Sequence, residues 1–69
     1  MSPDEKLVYS ANQIAKFFAA QGETRAIAGV ADHLQRFWDP TMRARLLELS
    51  ERPNIALLDT VRKALPQLH

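Results

Sequence analysis

The chain has 69 residues, with nine Lys and Arg against eight Asp and Glu and no cysteine. That length leaves room for one domain, 1–69, and a domain of this size buries only about 60% of the surface its unfolded form exposes. Disulfides, thiolate metal sites and a thiol nucleophile are excluded, and a net charge of +1 with 46% hydrophobic residues is a globular composition without the electrostatic footprint of a nucleic-acid binder.

The first predicted element is a helix over 3–20. Ser2 and Glu5 have the spacing of a capping box, and Pro3 sits where a first helical residue tolerates proline. Leu7, Ala11, Ile14 and Phe18 recur on one arc, widened by Ser10, Ala15 and Phe17, while Tyr9, Asn12, Gln13 and Lys16 lie opposite. Gly22 marks the break. A second helix is predicted over 24–38, with Ile27, Ala31, Leu34 and Trp38 as its stripe and Val30 and Phe37 on a shoulder. Arg25, Gly29, Asp32, His33 and Arg36 are assigned to its outer face. The two patterns match, as those of a packed helical hairpin should.

Asp39-Pro40 ends the second helix, because the residue before proline is pushed out of the helical region. Asp39 then suits an N-cap and Pro40 the first position of a third helix over 40–51. There Met42, Leu46 and Leu49 point inward, and Glu48 and Arg52 are spaced for an i,i+4 pair. Pro53-Asn54 restarts the chain, and Ile55, Leu58, Val61 and Leu65 predict a short fourth helix over 54–65. No strand alternation occurs. The expected fold is all-α, a small bundle of three to four short helices built on a helical hairpin.

The inventory of reactive groups is thin. The glycines are Gly22 and Gly29, too few for a phosphate-binding loop. The histidines are His33 and His69, so a metal site would have to be improvised from carboxylates. Ser2 reads as a cap, Ser10 lies on a helix and Ser50 ends one, so none has a base and an orienting group beside it. The expectation is a protein that is not an enzyme by itself, with no catalytic, cofactor-binding or metal-binding residue in this chain. Arg43 and Arg45 after Asp39-Pro40 could serve a helix-turn-helix, but the near-neutral charge favours surface arginines or a pair with Glu48.

Small domains gain stability from disulfides, metals, oligomerisation or a partner. A partner or a second copy therefore remains, beside a well-packed helical domain standing alone. No apolar run approaches the length of a membrane span, and MSPDEK has neither a basic leader nor an apolar core. The expected compartment is the cytoplasm, with no membrane and no nucleic acid as partner.

Three features point to a binding surface. Of the doublets Phe17-Phe18 and Phe37-Trp38, one ring of each must sit on a shoulder, since helix neighbours point about 100° apart. Such a ring either widens the core or stays exposed and anchors an interface. Gly29 in mid-helix costs about 1 kcal/mol relative to alanine; either something approaches the backbone there or a surface glycine is tolerated. Tyr9, Asn12 and Gln13 are polar but uncharged, as suits hydrogen bonding at an interface. His33 joins that surface or is an ordinary surface histidine.

Asn12-Gln13-Ile14-Ala15 followed by Phe17-Phe18, then Ala31-Asp32-His33-Leu34, Phe37-Trp38-Asp39-Pro40 and Met42-Arg43, resemble the delta subunit of NAD-dependent formate dehydrogenase over Lys6 to Leu47. Ser10 stands where that family typically has methionine. The resemblance implies an accessory subunit of a soluble, molybdenum-dependent complex that oxidises formate to carbon dioxide and reduces NAD. Molybdopterin guanine dinucleotide, iron–sulfur clusters and FMN would be held by other subunits. This chain would bind the large catalytic (alpha) subunit and support assembly, stability or molybdenum cofactor insertion. The alternatives are a transient maturation chaperone for that enzyme or a small helical regulatory or DNA-binding protein. The partner-binding residues expected are Tyr9, Asn12, Gln13, His33, Phe37, Trp38 and Arg43, with self-association possible when the chain is isolated.

Overall fold

The computed structural model describes residues 1–69 and contains four α-helices and no strand: α1 Pro3–Phe18, α2 Glu23–Phe37, α3 Pro40–Ser50 and α4 Asp59–Ala64. The start of α1 is stapled by two reciprocal bonds. The Glu5 amide donates to Ser2 Oγ at 3.1 Å, and the Ser2 amide donates to Glu5 Oε1 at 3.0 Å. The Ser2 backbone N–H, and after it the Ser2 hydroxyl, hold the Glu5 carboxyl below its ordinary range. A tighter turn, Ala19–Gln21, follows α1. Gly22 then reverses the chain at φ +90°, a conformation that L side chains rarely adopt. At the other boundary Trp38 and Asp39 are extended, and Asp39 Oδ1 accepts from the Met42 amide at 2.8 Å. The cap and proline of this boundary act as their chemistry dictates.

α1 and α2 run antiparallel: Phe18 lies against Gly29, and Gln13 and Ile14 share a groove with His33. α4 packs on α2, and α3 on α1. The core draws on every helix. Ala11 and Ala15 come from α1, Val30, Ala31 and Leu34 from α2, Leu46 from α3, and Val61 and Ala64 from α4; Trp38, Leu57 and Leu65 close it. Small alanines on α1 face larger residues on α2, which lets the two helices approach closely. Leu34, Leu46 and Leu49 are fully buried, each stabilising the fold by about 1.5–3 kcal/mol before entropy costs.

The fourth predicted helix starts later than its periodicity suggests. Asn54 adopts a left-handed φ of 67°, Ile55 to Leu58 are not helical, and α4 begins only at Asp59. Side chains from elsewhere take up the backbone groups of this connection. Asn12 Nδ2 donates to Ala56 O at 2.7 Å, and Asn12 Oδ1 accepts from the Leu58 amide at 2.9 Å. The Arg62 guanidinium donates to Ser50 O at 2.7 Å and Ile55 O at 2.9 Å. A connection satisfied in this way need not form helix. As a result Leu57 enters the core and Leu58 faces outward, the reverse of the helical wheel.

Ion pairs join the helices. Arg45 binds Asp4 through two bonds, at 2.9 and 2.6 Å, tying α3 to the first turn of α1. That fork holds the Asp4 carboxyl below its ordinary value, chiefly through the hydrogen bond. Arg45 also reaches Glu48 at 2.9 Å. Glu48 therefore pairs three residues back, and the Glu48–Arg52 pair expected from spacing does not form. Lys63 of α4 pairs with Glu23 of α2, which raises the Lys63 pKa.

Candidate interface on the helical hairpin

Two rows of side chains, each spaced four apart, run along the hairpin. On α1 the row is Tyr9, Gln13 and Phe17; on α2 it is Gly29, His33 and Phe37. Residues at this spacing are neighbours on a helix surface. Between the rows lies an open groove lined by Gln13, Ile14, Phe17, Phe18 and His33, none of which carries a carboxylate.

The groove owes its shape to Gly29. A Cβ built there would lie 2.6, 2.8 and 2.9 Å from three ring carbons of Phe18. The close approach suggested by a mid-helix glycine is therefore made from within the chain. The Phe18 ring packs against α2 at Gly29, and Gly29 faces α1 instead of the outer surface assigned to it from the helical wheel. With Phe18 drawn in, its neighbour Phe17 is left out. Phe17 is 76% exposed and meets the Phe18 ring edge-on, at 5.2 Å between centroids and 84° between planes. On the opposite wall His33 and Phe37 lean together, 4.8 Å apart and tilted by 45°. Phe37 is 71% exposed. Both shoulder rings thus face solvent.

The residues named from the sequence divide into two groups. Gln13 and His33 line this groove, Phe37 packs against His33 beside it, and Tyr9, 54% exposed, stands one turn from Gln13. The other three serve the fold. Trp38 is 8% exposed and belongs to the core, so its ring offers nothing to a partner. Asn12 has both ends of its amide bound to the connection before α4. Arg43 donates to the carbonyls of Gln35 and Trp38, capping the C-terminus of α2. Phe17, not among the residues predicted to bind, is the most exposed ring of the surface. Its signal was its place as the shoulder member of a doublet.

A second concavity lies beside the first turns of α1, lined by residues that include Val8, Tyr9, Asn54 and Ile55. No group of three or more His, Asp or Glu side chains is placed to hold a metal ion, and no helix is long and apolar enough to cross a membrane.

A protein-family model described as the NADH-dependent formate dehydrogenase delta subunit FdsD matches residues 6–65. The chain belongs to this family. The match extends beyond the blocks that carry the resemblance in sequence, through α3, the clamped connection and α4. No curated protein and no solved structure matches the chain. In this delta-subunit family member the hairpin groove lies wholly within the matched region.

Proposed function

We propose that the chain is a non-catalytic accessory subunit of a formate dehydrogenase and docks on the large catalytic subunit through the α1–α2 groove. The observation that carries this reading is the pair of solvent-facing rings, Phe17 in the wall of the groove and Phe37 against its His33, in a member of the delta-subunit family. Aromatic anchors of this kind dominate binding energy at interfaces. A helix face is also a rigid platform, so little conformational entropy is lost on docking.

In the molybdenum-dependent complex implied by the resemblance, formate oxidation and NAD reduction would run on molybdopterin guanine dinucleotide, iron–sulfur clusters and FMN. The residues of this chain do not fit those groups: it has no cysteine and no cluster of metal-ligand side chains. The groups belong, in this reading, to the other subunits. The role of the chain is to support assembly, stability or molybdenum cofactor insertion in the cytoplasm by covering a surface of the catalytic subunit.

The test is co-expression of the complex with wild-type chain or with the Phe17→Ser/Phe37→Ser variant. The wild type copurifies with the catalytic subunit, the variant is lost, and molybdenum content and activity fall with it. Copurification of the variant at the wild-type ratio overturns the assignment of the docking face. A full molybdenum complement and normal activity without the chain overturn the assembly role.

A further inference from the structure

Near-neutral overall charge conceals an uneven distribution. Between Lys6 and Phe37 the carboxylates are Glu23 and Asp32, and both are already paired, Glu23 with Lys63 and Asp32 with Arg36. Over the same stretch Lys6, Lys16 and Arg25 are exposed and make no ion pair. The carboxylates without a cation partner are Glu5, Asp39, Glu51 and Asp59, all outside the stretch. Glu5 and Asp39 among them are occupied in helix caps.

Of the cations without an ion pair, Arg43 and Arg62 are spent on backbone carbonyls, Arg52 is exposed beyond the end of α3, and Lys6, Lys16 and Arg25 lie on the hairpin. Lys16 adjoins Phe17 and lies one turn from Gln13. Arg25 heads the row that continues through Gly29, His33 and Phe37. Lys6 lies on the same arc of α1 as Gln13 and Phe17, since steps of seven and eleven residues return to nearly the same helix face. The surface is thus an apolar slot with an amide and an imidazole at its edge and free positive charge at its rim.

Resting on the docking reading above, we infer that the occupant of the groove is an acidic segment of the partner protein, one that inserts an apolar side chain between Phe17 and His33 and sets carboxylates against Lys16 and Arg25. Charge complementarity selects this chemistry. A basic segment would meet uncompensated like charge, and a purely apolar one would leave the cations desolvated without partners. Single-stranded nucleic acid also combines stacking with cations, but it needs a basic track along its backbone. Three free cations along the hairpin of a chain of net charge +1 do not supply one.

The experiment measures binding of the full chain to the large catalytic subunit purified without it. Three forms are compared: wild type, Lys16→Glu/Arg25→Glu and Phe17→Ser/Phe37→Ser. Wild-type affinity falls about tenfold between roughly 50 and 500 mM NaCl, as exposed charge pairs are screened. Lys16→Glu/Arg25→Glu binds about tenfold more weakly at low salt and loses most of the salt dependence, because the steering charges are gone. Its thermal midpoint stays near the wild-type value, since neither residue has an ion pair to lose and the two reversals act oppositely at helix ends, Lys16 in the last turn of α1 and Arg25 in the first turn of α2.

If the charge reversal leaves affinity and salt dependence unchanged while Phe17→Ser/Phe37→Ser abolishes binding, the acidic-partner inference is wrong and the docking face stands. Tighter binding by the charge-reversed form also overturns the inference, since it makes the partner basic. If Phe17→Ser/Phe37→Ser binds like wild type, the docking face itself is wrong. A 20-nucleotide single strand that binds the wild type and displaces the catalytic subunit identifies a nucleic-acid ligand instead.

Discussion

Replacing Gly29 by alanine sets two opposed effects against each other, and the structure decides between them. In an exposed helix interior the change is stabilising by about 1 kcal/mol. At this site the new Cβ meets Phe18 Cδ1 at 2.6 Å, Cε1 at 2.8 Å and Cγ at 2.9 Å, where carbon atoms prefer about 3.5–4.0 Å. A ring flip cannot relieve the clash, because Cγ lies on the axis about which the ring turns. Relief requires a new χ1 or a shift of α1 away from α2, and overpacking of this kind costs about 1–3 kcal/mol. At the middle of that range the net effect is a loss of about 1 kcal/mol, which in a domain this small lowers the melting temperature by about 4–8 °C. Thermal melts followed by far-UV circular dichroism measure it. The control is the same substitution in a Phe18→Ala background. With the ring gone, only the helix preference remains, so Gly29→Ala should now raise stability by up to about 1 kcal/mol. A midpoint that rises in the wild-type background, or the same sign in both backgrounds, would refute the view that Phe18 occupies the glycine.

Other outcomes are expected from the same structure. Asn12→Ala removes two hydrogen bonds that hold the connection before α4, and urea titration should show a loss of about 1–3 kcal/mol; hydrogen exchange at the Leu58 amide should accelerate, and unchanged protection there would discount the clamp. Phe17→Ser should lower stability by no more than about 1.5 kcal/mol, the worth of its edge-on contact with Phe18, against a loss of about 2–5 kcal/mol for Leu34→Ala, and comparable losses would mean that Phe17 is core. Asp4 and Glu5 are both held below their ordinary values when folded, by Arg45 and by Ser2. Their contribution is therefore complete above pH ~4.5 and is lost as pH falls through ~4 and below, where the folded chain must take up their protons. Melting temperatures at pH 7 and pH 3 should differ, and Asp4→Asn should narrow the difference; a flat profile would discount both carboxylates.

The helical hairpin and its boundaries were written in local chemistry. The Ser2–Glu5 box, Gly22, Asp39 and Pro40 each act within a few residues of their own position, so spacing suffices to read them. The all-helical class follows from the period of the apolar residues. The exposure of Phe17 and Phe37 was half legible: helical geometry dictates that one ring of each doublet is a shoulder ring, but not whether another element covers it. What lay beyond the sequence were contacts between distant segments. Asn12 meets residues 56 and 58, Arg62 meets residues 50 and 55, and together they keep 55–58 out of a helix that its periodicity favours. Gly29 likewise looked like a surface position until the packing of α1 on α2 placed Phe18 over it. Caps and periodicity are energies of neighbouring residues. The bound connection, the filled glycine and the groove are energies of packing, set only once the helices meet.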